Sequence, residues 1–108
     1  MPLFQAAQRL APMSMTSIHA HYFEAIVYFR EEKWQRAEEA FRRLIRTFPE
    51  ALNVPEALYH VGICRARQGD VAGAQATWEE VKTLFSATPW AKYAGDRLAE
   101  VARAGPGG

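Results

Sequence analysis

The fold is decided by two stretches that repeat each other at a spacing of 37 residues: residues 19–49, HAHYFEAIVYFREEKWQRAEEAFRRLIRTFP, and residues 56–86, EALYHVGICRARQGDVAGAQATWEEVKTLFS. They overlay without a gap and carry similar small, aromatic and aliphatic residues at equivalent places. The pairs are Ala20 and Ala57, Tyr22 and Tyr59, Ala25 and Gly62, Ile26 and Ile63, Arg30 and Arg67, Ala37 and Ala74, Phe41 and Trp78, Leu44 and Val81, and Phe48 and Phe85. A period in this range is typical of stacked helical or strand units. We therefore expect a repeat scaffold rather than an enzyme.

Each copy has the pattern of two helices. Apolar residues recur at spacings of three and four, which predicts helices over residues 18–31, 34–47, 55–68 and 71–85. Pro49 ends the second helix because proline lacks the amide donor that an interior turn needs. Gly69 suits the left-handed end of the third helix, and Asp70 suits the cap of the fourth. Thr88 and Pro89 are typical of the start of a last helix.

The register of the repeat continues beyond both copies. One period back, Phe4 falls over Phe41 and Pro12 over Pro49, so residues 3–11 are predicted to form the second helix of an incomplete repeat. The chain is thus predicted to be one all-α domain of about six helices over residues 1–104. Its parts are an orphan helix at 3–11, repeats at 18–49 and 55–86, and a capping helix at 88–103, before a flexible tail at 105–108.

Composition limits the possible functions. The 108 residues carry a formal net charge of +1, which gives no general reason to expect nucleic acid or an acidic membrane as a partner. No stretch reaches the length of a membrane span, and the start of the chain lacks the pattern of a signal peptide. We expect a cytoplasmic protein, or a periplasmic one if a signal peptide has been removed. The single cysteine, Cys64, excludes an intramolecular disulfide.

The spacing of small and aromatic residues resembles that of the tetratricopeptide repeat family. The residues that carry the resemblance are Ala25, Ala37, Phe41 and Pro49 in the first unit and Gly62, Ala74 and Trp78 in the second. The resemblance covers nearly the whole chain and implies a right-handed α-solenoid of antiparallel helix pairs. Small residues let two helices approach closely, and the aromatic residue fills the space beside them. The long connectors are similar to those of a subclass in cell-envelope proteins, the Tol-Pal-associated periplasmic repeat protein and the outer-membrane assembly lipoprotein.

This chain also departs from the family pattern at three places. Arg65 stands where the first unit has Tyr28, and His21 and Glu24 stand where the family usually has apolar residues.

The resemblance implies that first-helix residues line a concave groove that binds a protein or peptide. The residues at those places are His19, Tyr22, Ile26, Phe29, Arg30, Glu56, Tyr59, Ile63 and Arg67, with Asp96 at the far end. Because a spacing of four keeps residues on one helical stripe, tyrosine, isoleucine and arginine would form parallel rows. Such a surface suits an extended or helical peptide with apolar anchors and a carboxylate. We predict that Arg67→Glu and Tyr59→Ala weaken binding and leave melting nearly unchanged.

Several alternatives remain open at this point. The groove residues could instead pair internally, with Asp96 and Glu100 neutralising Arg67. The chain could also be a homo-oligomerisation module that completes its helix stack with another copy through Leu3, Phe4 and Leu10.

Other residue groups give weaker indications. His60 and Cys64 lie four apart and could hold two corners of a zinc site, but no second pair has ligand spacing, so a partly buried structural pair is favoured. His21 and Glu24 could titrate together. One helix is basic, but interleaved glutamates favour a solvated outer surface over a phosphate site; its residues are Lys33, Arg36, Glu38, Glu39, Arg42, Arg43 and Arg46. We predict no metal, no cofactor and no catalytic residue.

Overall fold

The computed structural model describes residues 15–104, which form five α-helices and no strand. The helices are α1 (Met15–Arg30), α2 (Trp34–Thr47), α3 (Val54–Arg67), α4 (Val71–Leu84) and α5 (Pro89–Ala104). The all-helical prediction is confirmed, and α2 to α5 begin and end within one residue of their predicted bounds. The described part holds five helices rather than about six, because the helix predicted over 3–11 lies outside the described residues. The tail at 105–108 lies outside them as well.

The two turns inside the repeats both use a residue in the left-handed backbone region. Gly69 has a φ of +88° between α3 and α4, and Glu32, one period earlier, has a φ of +59° between α1 and α2. Glycine takes this conformation without steric cost, whereas glutamate does not. The second turn is also better capped, since the side chain of Asp70 accepts a hydrogen bond of 2.9 Å from the amide of Gly73, while Lys33 provides no side-chain cap. The predicted roles of Gly69 and Asp70 are confirmed.

The helices pack in the order in which they follow along the chain. Each contacts the next, and α3 also contacts α5. The first helices of the repeats, α1, α3 and α5, form one layer, and α2 and α4 form the other. The radius of gyration is 15.9 Å and the extents are 61 × 30 × 16 Å, whereas a compact domain of this size would have a radius of about 12–13 Å. This elongated shape is typical of a stacked array and not of a closed bundle.

The core of the described residues consists of two clusters, one between α1, α2 and α3 and the other between α3, α4 and α5. In the first, Phe41 and Leu44 of α2 are fully buried against Ala25 of α1 and Val61 of α3. The Phe41 ring contacts rings from both neighbouring helices, with centroid distances of 6.2 Å to Tyr22 and 5.2 Å to His60. The second cluster is built around Trp78, with Tyr59, Ala74, Val81 and Ala94. The small and aromatic places that the sequence singled out therefore form the core.

The two repeats fill the crossing of their helices with different pairs of residues. In the second repeat the indole of Trp78 lies directly on Gly62, and a Cβ atom at Gly62 would lie 2.7 Å from Trp78 Cδ1. The same indole donates a hydrogen bond of 3.2 Å from Nε1 to the carbonyl of Tyr59. In the first repeat, Ala25 and the smaller ring of Phe41 occupy the equivalent places. The larger aromatic residue thus requires the smaller partner.

Arg65, which replaces an aromatic residue of the first repeat, joins three helices. Its Nε donates to Glu38 Oε2 at 3.1 Å, and its Nη1 donates to the hydroxyl of Thr77 at 2.8 Å. Thr77 is 1% exposed, and its hydroxyl donates a hydrogen bond of 2.8 Å to the carbonyl of Gly73. Gln68 donates to the other oxygen of Glu38 at 2.8 Å. The guanidinium of Arg65, which departs from the family pattern, therefore has hydrogen-bond partners on α2 and α4.

Candidate interaction groove

The predicted groove lies on the layer of first helices, and hydrogen bonds join these helices to one another. The hydroxyl of Tyr22 on α1 donates to the carboxylate of Glu56 on α3. One repeat later, Arg97 Nε on α5 donates to the hydroxyl of Tyr59 at 3.0 Å. Burial, and then the hydrogen bond and charge of Glu56, raise the pKa of Tyr22, so its phenol stays protonated and remains a donor. The polar ends of both tyrosines are therefore used inside the protein.

Helix α5 covers Tyr59 of the predicted groove. Tyr59 is only 8% exposed, because the rings of Trp90 and Tyr93 lie against it at centroid distances of 5.6 and 6.2 Å. Tyr59 also belongs to the core cluster around Trp78. Tyr59→Ala would therefore remove core packing, so the expectation that this substitution leaves melting nearly unchanged does not agree with the structure.

Arg30 and Arg67 stand at the carboxyl ends of α1 and α3, which we call the upper end of the groove. Both are exposed, and among the described residues neither forms an ion pair with a carboxylate. The guanidinium of Arg67 lies over the ring of Trp34, 5.5 Å from its centroid. The carboxylates suggested as internal partners have other neighbours, since Asp96 lies 3.6 Å from Lys92 and Glu100 lies 3.6 Å from Arg97. The internal-pairing alternative thus fits the tyrosines better than the arginines.

Between Glu56, at the lower end, and the two arginines, at the upper end, the surface is apolar. Ile26 and Phe29 on α1 and Ile63 on α3 are partly buried, and the Phe29 ring packs edge-on against Trp34 at 5.2 Å. His19 is exposed near the lower end of α1. Along α3 the surface runs from Glu56 to Arg67, a rise of about 16 Å at 1.5 Å per residue. It therefore has an acidic lower end, an apolar middle and a basic upper end.

Comparison with known families identifies the architecture. The family model for the tetratricopeptide repeat matches residues 24–51 and 56–88. The chain belongs to the tetratricopeptide repeat family. The two matches cover more than half of the chain; the first includes the second half of α1 and all of α2, and the second includes nearly all of α3 and all of α4. A search of curated proteins found no significant match.

Tetratricopeptide repeats generally serve as non-catalytic scaffolds that mediate protein–protein interactions. The first-helix layer of this array is therefore the first surface to consider for a partner. Among residues 15–104, no helix combines the length and the apolar character needed to cross a membrane.

Below the groove floor, His60 and Cys64 form part of the packing between the tetratricopeptide repeats. The His60 ring lies among the rings of Phe29, Phe41 and Tyr59 at 5.0 to 5.6 Å, and its Nδ1 is 2.8 Å from the carbonyl of Glu56. Burial lowers the pKa of His60 and raises the pKa of the Cys64 thiol to about 12. The described residues contain no group of three side chains suited to a metal ion. These contacts agree with the structural interpretation of the pair.

The burial of His60 makes the stability of the folded protein depend on pH. In the unfolded chain its pKa is near 6.5, while burial lowers the pKa in the folded protein, so the folded state disfavours the proton. This contribution to stability is complete above about pH 6.5 and is lost as the pH falls toward the lowered folded pKa. We expect wild type to lose more stability than His60→Phe between about pH 7.5 and pH 5.5. Thermal denaturation of both proteins, with His19→Gln as an exposed control, measures the difference; equal losses would contradict this assignment.

The structure also shows the contacts of His21 and Glu24 and of the basic helix α2. His21 packs edge-on against Phe48 at 5.1 Å, and its Nδ1 lies 2.9 Å from the carbonyl of Ser17. Glu24 instead lies 3.7 Å from Arg43 on α2, so His21 and Glu24 have separate partners. On the basic helix, Arg42 lies 3.5 Å from Glu38. Charge pairs on and around α2 agree with its interpretation as an outer surface.

Four residues at the groove were missed from the sequence: Trp34, Trp90, Tyr93 and Arg97. One signal was present, since Tyr93 stands one period after Glu56, a predicted groove place. The same register does not select Arg97, which stands one period after His60, a place outside the predicted groove. The stacking of Arg67 on Trp34 had no such signal, because it joins the last turn of α3 to the first turn of α2. The predicted self-association residues Leu3, Phe4 and Leu10 lie outside the described residues, and their role stays a prediction.

Proposed function

We propose that this tetratricopeptide array binds a peptide segment of a protein partner along α1 and α3, with a carboxylate of the peptide at the arginine end. The observation that supports this most directly is the pair of exposed guanidinium groups, Arg30 and Arg67, that have no carboxylate partner among residues 15–104. Arginine presents a planar fork of donors that matches a carboxylate. A partner carboxylate would gain these bonds without displacing an internal one.

The position of Arg67 adds to this argument. Its guanidinium lies over Trp34, and a cation–π contact of this kind contributes about 0.5–1 kcal/mol at an exposed site. The contact limits the freedom of a long side chain and leaves the edge of its fork available for hydrogen bonds. Part of the ordering that binding requires is therefore already present in the free protein.

The dimensions of the surface support a short peptide as the proposed ligand. An extended chain rises about 3.3 Å per residue, so about five residues span the 16 Å from Glu56 to Arg67. Apolar side chains of the peptide would lie on Ile26, Phe29 and Ile63, which are partly exposed. The carboxylate of Glu56 disfavours an acidic residue at the lower end. The proposed ligand is thus a short segment that is apolar in the middle and acidic at one end only.

A selection from random displayed peptides tests this proposal. We expect enriched peptides to carry an acidic group, and we expect Arg67→Glu to weaken their binding by about 10- to 100-fold, because a charge-assisted hydrogen bond contributes about 1.5–3 kcal/mol. Arg46→Glu is the matched control, since Arg46 is also exposed but lies in the last turn of α2 on the other layer. Equal weakening by both substitutions, or none by Arg67→Glu, would contradict the proposed groove. Melting should change little, since Arg67 is exposed and its contact with Trp34 contributes only about 0.5–1 kcal/mol.

The proposal includes no cofactor and no nucleic-acid partner. The similarity of the connectors to the cell-envelope subclass, and a cytoplasmic or periplasmic location, remain part of the proposal. Self-association through Leu3, Phe4 and Leu10 is the second candidate, and sedimentation over a range of concentrations tests it. A monomer at every concentration would contradict self-association and leave the groove proposal unaffected.

A further inference from the structure

The exposed faces of α2 and α4 carry opposite charges at equivalent places of the repeat. Arg42 and Arg43 of α2 stand one period before Glu79 and Glu80 of α4, and all four residues are exposed. The two helices belong to the same layer and are equivalent in the repeat, so the arginine pair and the glutamate pair lie side by side at the same level. We call this surface, on the side of the array opposite to the groove, the α2–α4 face.

The charges of the α2–α4 face are not used up inside the protein. Glu79 and Glu80 form no ion pair with another residue between 15 and 104. Arg42 and Arg43 have glutamate partners at 3.5 and 3.7 Å, but the two arginine side chains remain 51% and 56% exposed. Exposed ion pairs of this kind contribute little to stability. Both pairs of charges are therefore available to a second molecule.

The α2 half of this face has a place for a carboxylate. Arg42, Arg43 and Arg46 line a shallow cleft of about 300 Å³ together with Glu39. Three guanidinium groups around one carboxylate leave an excess of positive charge, and arginine binds carboxylate oxygens in pairs. On α4 the equivalent places of Glu39 and Arg46 hold an alanine and a threonine. The α4 half of the face is therefore acidic where the α2 half is basic.

We propose that a second copy of this chain docks on the α2–α4 face, with the arginine pair of each copy against the glutamate pair of the other. A two-fold axis that runs parallel to the helices, between α2 and α4, places α2 of one copy over α4 of its partner. Because both pairs lie at the same level, this rotation forms the two sets of contacts at once. A two-fold axis across the helices would place arginines against arginines, and like charges disfavour that arrangement.

This dimer is independent of the other interactions of the array. The peptide groove lies on the first-helix layer and would stay free in both copies. Self-association through Leu3, Phe4 and Leu10 would not depend on the charges of α2 and α4, so charge reversal separates the two kinds of association.

Mixing of two charge-reversed variants tests the dimer. Arg42→Glu with Arg43→Glu makes both helices acidic on this face, and Glu79→Arg with Glu80→Arg makes both basic. In sedimentation equilibrium we expect each variant alone to dimerise at least about tenfold more weakly than wild type, because like charges then face each other. An equimolar mixture should form a one-to-one heterodimer, since every facing pair is again opposite in charge. A mixture that stays monomeric, or variants that dimerise alone as well as wild type, would overturn the proposal.

Lys92→Glu with Arg103→Glu is the matched control for net charge. It changes the net charge by the same amount as the reversal of the two arginines, but both residues are exposed on α5, in the first-helix layer. Its dimerisation should match that of wild type. If this control weakens dimerisation as much as the arginine reversal does, net charge rather than the α2–α4 face determines association, and the proposal is wrong. Circular dichroism of each variant verifies the helical content.

The wild-type protein gives a second readout that needs no substitution. We expect a weak dimer with a Kd on the order of 0.1–1 mM at low salt, because each exposed ion pair contributes little. Raising the salt from about 0.1 M to about 1 M shortens the screening length from about 10 Å to about 3 Å, so the Kd should rise at least about tenfold. A monomer at every concentration in low salt, or dimerisation that salt leaves unchanged or strengthens, would overturn the proposal.

Discussion

Replacement of Phe41 with alanine is expected to lower the free energy of unfolding by about 3–5 kcal/mol, the usual loss for a fully buried phenylalanine. Phe41 is 0% exposed and contacts Tyr22 and Phe29 on α1 and His60 on α3. Its removal would leave a cavity where three helices meet. Because small domains have a total stability of about 5–15 kcal/mol, this single change would remove a large part of it.

Chemical denaturation followed by circular dichroism measures the loss. Leu84→Ala is the control, since Leu84 is 64% exposed on α4 and its truncation should cost within about 0.5 kcal/mol. A loss for Phe41→Ala that is no larger than the loss for Leu84→Ala would mean that the first core cluster does not hold α1, α2 and α3 together.

Gly62→Ala is expected to destabilise the protein by about 1–3 kcal/mol, although alanine is the better helix former by about 1 kcal/mol. The added methyl group would lie 2.7 Å from Trp78 Cδ1, and the indole cannot easily move because it is 3% exposed and bonded to the carbonyl of Tyr59. The sign of the effect is therefore set by the neighbouring side chain and not by the helix.

The first repeat supplies the compensating change. Ala25 and Phe41 occupy the places of Gly62 and Trp78, so Gly62→Ala introduced into Trp78→Phe should be neutral or stabilising by up to about 1 kcal/mol. Four denaturation curves, for wild type, the two single variants and the double variant, give the interaction energy. If the cost of Gly62→Ala is the same in both backgrounds, the steric explanation is wrong.

The sequence predicted the architecture because the relevant signals are local or repeated. Helical periodicity, Pro49, Gly69 and Asp70 define the bounds of the helices, and the 37-residue register identifies the small and aromatic residues of the core. Each of these signals depends on short-range geometry or on comparison of two copies. For this reason α2 to α5 agree with prediction to within one residue.

The groove was less predictable, because it depends on which side chains of different helices meet. The sequence assigned tyrosine and arginine rows to one stripe, but could not show that α5 turns Trp90 and Tyr93 onto Tyr59. Nor could it show that Asp96 lies beside Lys92 and that Arg67 has no ion pair with a carboxylate among residues 15–104. The rotation of α5 about its own axis decides both questions, and that rotation follows from packing rather than from the repeat register.

The contacts of Arg65 affect how the two repeats unfold. The guanidinium and the Glu38 carboxylate are 25% and 16% exposed, so separating them would leave a poorly solvated charge on each side. Since Glu38 belongs to the first repeat and Arg65 to the second, fraying of either hairpin past this point would break the contact between them. The shared ionic contact thus couples the two hairpins, and their melting is expected to be a single cooperative transition even though most other contacts are between adjacent helices.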